Sequence, residues 1–103
     1  MTSSKSAERR SLEELLEYLG RSTVLAFEGS LDEEQYDRIL DQTTEQARTL
    51  AAAVREREGQ AGVDRTRQDV LARIATVIPA PHSDLRVSYH RLVTTVLDRR
   101  EAA

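Results

Sequence analysis

Residues 33–54 read EEQYDRILDQTTEQARTLAAAV, and their spacing decides the fold class. Tyr36, Leu40, Thr43, Ala47, Leu50 and Val54 keep to steps of threes and fours, with Ile39 beside Leu40 on the same stripe. An α-helix stacks such positions on one face, whereas a half-buried strand would alternate in twos. The spacing predicts a helix over 31–58, opened by Ser30-Leu31-Asp32-Glu33 as a capping box and closed by Gly59 and Gly62. Unbroken, it would be roughly 40 Å long at about 1.5 Å per residue, the longest of the chain and overhanging its neighbours.

Toward the N-terminus the same period continues. Leu12, Leu15, Leu16, Leu19, Thr23, Ala26 and Phe27 form a stripe that stays in phase across Gly20. The prediction is one helix over 11–28, capped at Ser11, with Gly20 costing up to ~1 kcal/mol relative to Ala. Gly29 ends it. Toward the C-terminus, Val70, Leu71, Ile74, Val77 and Ile78 predict a helix over 64–78, stopped by Pro79 and Pro81, which cannot donate to a continuing ladder. A last helix over 84–100 carries Leu85, Tyr89, Leu92, Val93, Val96 and Leu97. Ser83 is its expected cap, and Arg99 and Arg100 suit the negative end of its dipole. Residues 1–10 read as a disordered tail and 11–103 as a single helical domain. Short connections favour antiparallel neighbours, so the expected fold is all-α: a small antiparallel bundle of about four helices, the second being the longest.

Composition narrows the function classes. The chain has 103 residues, of which 39% are hydrophobic, and twelve of those hydrophobic residues are alanines. The core is therefore small, which favours self-association. No run of eighteen apolar residues occurs, and no apolar segment follows Met-Thr-Ser-Ser-Lys, so the expectation is a cytoplasmic chain without membrane contact. With no cysteine there is no disulfide framework and no thiolate chemistry.

The net charge of −3 hides an asymmetry. Residues 13–45 hold ten acids against Arg21 and Arg38, while residues 46–103 hold ten arginines against seven acids. Such a split suits one half of a fold facing the other, or subunits pairing head to tail. Within the acidic half, Glu33, Asp37, Asp41 and Glu45 form an i,i+4 ladder. Each like-charged pair should cost roughly 0.2–0.5 kcal/mol, so the ladder is either a solvated face or a docking strip for basic helices. Its drift of about 40° per step keeps the four from converging on one metal ion. Tyr18 and Leu25, seven residues apart on the face opposite the first stripe, are the apolar candidates for contact with another chain.

Other chemistries find less. His82 falls in the proline turn, where an exposed ring is expected, and His90 lies at the rim of the last stripe. Neither follows a Glu three residues earlier, as a di-iron bundle requires, and no His-Glu-x-x-His occurs. No metal and no cofactor is expected. Arg67, Arg86 and His90 are the residues an enzyme with an anion pocket would use. Arg48, Arg55, Arg57, Arg65, Arg67 and Arg73 are those a nucleic-acid-associated subunit would lay on phosphates. Intervening Glu56, Glu58, Asp64 and Asp69, and a pI near 5.4, weaken that reading. The expected function is thus non-enzymatic: a homo-oligomer, acting on itself and on other proteins by contact, as a regulator, adaptor or structural subunit. Nucleic-acid association ranks second, and anion-pocket catalysis third.

Overall fold

A computed structural model describes residues 5–98. It holds α1 (Ala7–Phe27), α2 (Glu33–Ala72), α3 (Ile74–Val77), one 3-10 turn (Ala80–His82) and α4 (Leu85–Leu97), with no strand among the described residues. The all-α class and the long second helix are as the spacing predicts. Several boundaries are not, and each has a local cause.

Helix α1 starts at Ala7, not at Ser11. Ser6, in extended backbone, accepts the Arg9 amide at 3.2 Å, so residues 7–10 form a first turn where a disordered tail was expected. Residues 1–4 of that tail lie outside the described residues. At the far end the Gly29 amide donates to the Ala26 carbonyl and the Ser30 amide to that of Leu25. This is a Schellman closure, which needs the left-handed backbone that Gly29 adopts at φ 88°. Because α1 stops there, Phe27 falls outside the core and is 66% exposed, contrary to its place in the stripe.

Asp32, not Ser30, caps α2: its carboxylate accepts the Gln35 amide, and the Gln35 side chain accepts the Asp32 amide. The alanine run Ala51–Ala53 stays helical. The one break inside α2 is Gly59, at φ 78° and ψ −178°, a conformation in effect reserved for glycine. It divides α2 into two arms, 33–58 and 60–72, with no loop between them, so the third helical stretch begins earlier than position 64. That stretch also ends earlier than 78, because Arg73 departs from helical backbone before α3 restarts. Ser83 does not cap α4 through its side chain; only its carbonyl engages the Arg86 amide, and Asp84 takes the cap position. Helix α4 ends at Leu97, where Arg55 donates to the Leu97 carbonyl at 2.9 Å and satisfies one of the end carbonyls. Arg99 and Arg100 lie outside the described residues.

Contacts at both ends set the packing. Ser6 and Arg9 meet Glu58, while Thr23 meets Tyr36, so α1 and the 33–58 arm run in opposite directions. Since α1 covers the end of that arm, the overhang expected there is absent. The chain after Gly59 runs in step with α1: Asp69 reaches Arg9, Arg73 reaches Glu13 and Glu17, and Val77 lies by Gly20. Leu12, Leu16, Val54, Val63, Val70, Ile78, Tyr89 and Val93 form the centre of the core, each essentially without solvent contact. Burying a side chain of this size contributes roughly 1.5–3 kcal/mol. Gly20 belongs to this packing: a Cβ there would stand 2.5 Å from Val77 Cγ1 and 2.8 Å from Tyr89 Cε1. Its place inside the helix is thus a close-approach requirement that outweighs its poor propensity.

Candidate interaction surface

Two populations of charge emerge. The first is a seam between α1 and the stretch from Glu58 to Arg73 that brackets the second arm. Arg9, 7% exposed, donates to Asp69 at 3.0 Å and to Glu58 at 3.4 Å. Glu13, 5% exposed, takes Lys5 at 2.9 Å and Arg73 at 3.2 Å. Arg73 Nε also donates to Glu17 at 2.7 Å, and that hydrogen bond above all raises the pKa of the guanidinium. Arg9 Nε and Glu13 Oε2 are buried without a hydrogen-bond partner among the described residues. An expected start at Ser11 leaves Arg9 outside the helix and hides this network. Once α1 begins at Ala7, Arg9 lies three residues before Leu12 and Glu13 three before Leu16, on the flank of the buried stripe.

The second population is the ladder. Glu33, Asp37, Asp41 and Glu45 are all exposed, and none joins an ion pair among the described residues. The structure brings them together on the outer side of the 33–58 arm, where Glu45 and Thr49 stand on a ridge between two open grooves. One groove, of about 720 Å³, lies on the α1 side with Leu15 and Leu50. The other, of about 820 Å³, lies toward α4, with Leu40, Ala52 and Leu92 beside Asp41, Glu45 and Arg48. The spacing places Leu40 and Leu92 in the core stripes. They are only partly buried because they flank their stripes, and that flanking position was the signal available in the sequence.

Tyr18 and Leu25 are exposed at 44% and 43%, but neither lines these two grooves. His82 is not an exposed turn residue. Its Nε2 lies 2.8 Å from Glu28, its ring meets Phe27 edge-on at 5.5 Å, and Nδ1 is buried without a hydrogen-bond partner among the described residues.

The residues of the other two readings are largely occupied elsewhere. Arg57 pairs with Glu8, Arg67 with Asp64, and Arg73 with Glu13 and Glu17. Arg55 holds Gln60 and the Leu97 carbonyl, leaving Arg48 and Arg65 outside these pairs. Arg86 donates to the Ile78 carbonyl, His90 is exposed, and neither they nor Arg67 line either groove. Tyr89, whose phenol burial pushes well above its usual pKa, donates to the Leu16 carbonyl at 2.8 Å and serves the core. Among the described residues no three His, Asp or Glu side chains are placed to hold a metal ion. No helix among them is long and apolar enough to cross a membrane. Comparison of the chain with family models, with curated proteins and with solved structures finds no match to any of them.

Proposed function

We propose that the protein works by protein–protein contact, as a self-associating, non-enzymatic regulator, adaptor or structural subunit in the cytoplasm. One contrast carries this reading: the fold pairs the acids of its seam with internal cations, yet leaves Glu33, Asp37, Asp41 and Glu45 without an ion pair among the described residues, the last two of them beside open grooves. Tyr18 and Leu25 supply apolar surface on α1 for a second copy. Charge sets partner choice and encounter rate here, since exposed ion pairs contribute only ~0–1 kcal/mol each.

The test is sedimentation velocity across a dilution series. The expected result is a dimer or larger species that dissociates on dilution, shifted toward monomer by Tyr18→Glu combined with Leu25→Glu. A chain that stays monomeric at every concentration ends the self-association part of the reading.

A further inference from the structure

The groove between the 33–58 arm and α4 has a directional chemistry. Its apolar elements are Leu40, Ala52 and Leu92, and one wall carries Asp41 and Glu45 followed by Arg48. Arg48 takes part in none of the ion pairs described above. The acids continue up the same helix as Asp37 and Glu33, all exposed. From 40 to 52 the wall is about 18 Å long at 1.5 Å per residue, the length of some twelve residues of a facing helix.

We infer that this groove receives an amphipathic helix of a partner protein, with leucine-like residues on one face and lysines or arginines along one flank. The inference rests on the protein-contact reading above and specifies its partner. A helix fits because it satisfies its own backbone hydrogen bonds. An extended peptide would lay unpaired amides on apolar side chains, and the described residues offer no strand edge to receive them. Cations fit because the wall presents unpaired carboxylates, and a phosphate backbone would be repelled by the same groups. The sequence of charge along the wall, acids first and Arg48 last, selects one direction of the bound helix. Its cations lie against Asp37, Asp41 and Glu45, and an acidic residue lies against Arg48.

The probe is a fluorescent synthetic helix with a leucine face and flanking lysines, compared with the same peptide carrying glutamates in place of the lysines. Anisotropy should show the lysine peptide binding about ten-fold more tightly, with the preference shrinking as salt rises. Backbone NMR shifts should concentrate in residues 40–52 and around Leu92. Asp41→Lys combined with Glu45→Lys, at exposed positions that leave the core untouched, should reverse the preference. Equal binding of both peptides, binding of neither, or shifts confined to other faces would each overturn the inference. So would loss of the unliganded protein's own dimer in the double-lysine variant, because a second copy would then be the occupant. A dilution series showing only monomer, with the lysine peptide still bound, would remove self-association and leave this inference standing.

Discussion

The seam between α1 and the second arm of α2 and the ladder on the first arm are built from the same carboxylates, and the fold treats them in opposite ways. In the seam Glu13 and Glu17 share Arg73, while Glu58 and Asp69 share Arg9, across contacts of forty or more positions in sequence. In the ladder each acid has another acid one turn away, and none forms an ion pair among the described residues, although Arg38 and Arg48 lie three positions from Asp41 and Glu45. The lesson is that a patch of charge is informative only with its surroundings. Where cations from distant segments converge, the charge is holding helices in register. Where none arrives, the fold has no use for the negative field, and the surface is free to use it on another molecule.

The largest effect expected is at the seam. Arg9→Ala removes the cation that Glu58 and Asp69 share and leaves Asp69 with Lys5 alone, at 3.6 Å, at a cost of about 3 kcal/mol. The figure is at the low end for a buried pair because Asp69 keeps 40% of its side chain in solvent. Urea unfolding measures it. A loss below that of truncating Arg38, whose exposed pair with Glu34 is of the kind that contributes little, would erase the distinction between the two regions.

Next comes the apolar contact of α1 with α3 and α4 at Gly20. Gly20→Ala should destabilise the protein although alanine is the better helix former. Overpacking against Val77 and Tyr89 costs ~1–3 kcal/mol and the propensity gain returns at most ~1, for a net loss of ~1–2 kcal/mol. A raised melting temperature would show that α1 and α3 separate without penalty.

Tyr89→Phe removes the hydrogen bond to the Leu16 carbonyl and should cost about 1 kcal/mol. The same phenol gives a pH signature. Its pKa is raised in the folded state, so its contribution is fully present below the ordinary value of 10 and is lost as pH climbs above it. Stability followed from pH 9 to 12, a range of about three units around that value, should fall more steeply in the parent than in the phenylalanine variant. Parallel curves would remove Tyr89 as the source.

The smallest effect belongs to the ladder. Asp41→Asn relieves two like-charged i,i+4 contacts and should stabilise the fold by a few tenths of a kcal/mol. Destabilisation on the scale of Arg9→Ala would mean that the ladder, too, holds the fold together.

How much of this was legible follows the same division. Period and punctuation were local, so the helices, the stop at Gly29 and the break at Gly59 could be read directly. Caps were harder, because serines and aspartates compete over a few residues: Ser6 prevailed over Ser11 by also reaching Glu58, and Asp32 over Ser30 through Gln35. Phe27 and His82 depended on where α1 and the proline turn meet, which no single helical pattern contains. The seam is a matter of partners far apart in sequence, and charge totals for each half of the chain could only hint at it. The ladder was visible as spacing. Its neighbouring grooves were not, since they exist only once α1 and α4 flank the arm.

Gly59 joins two helical arms through a single residue, and a joint that short has no slack. The second arm cannot drift away from α1 as a loop-tethered segment would. At its start it can leave only by pivoting about the two backbone torsions of Gly59. Breathing at that corner is therefore a hinge motion, and whatever stiffens or frees one glycine acts at once on the Arg9–Asp69 and Arg73 pairs beyond it.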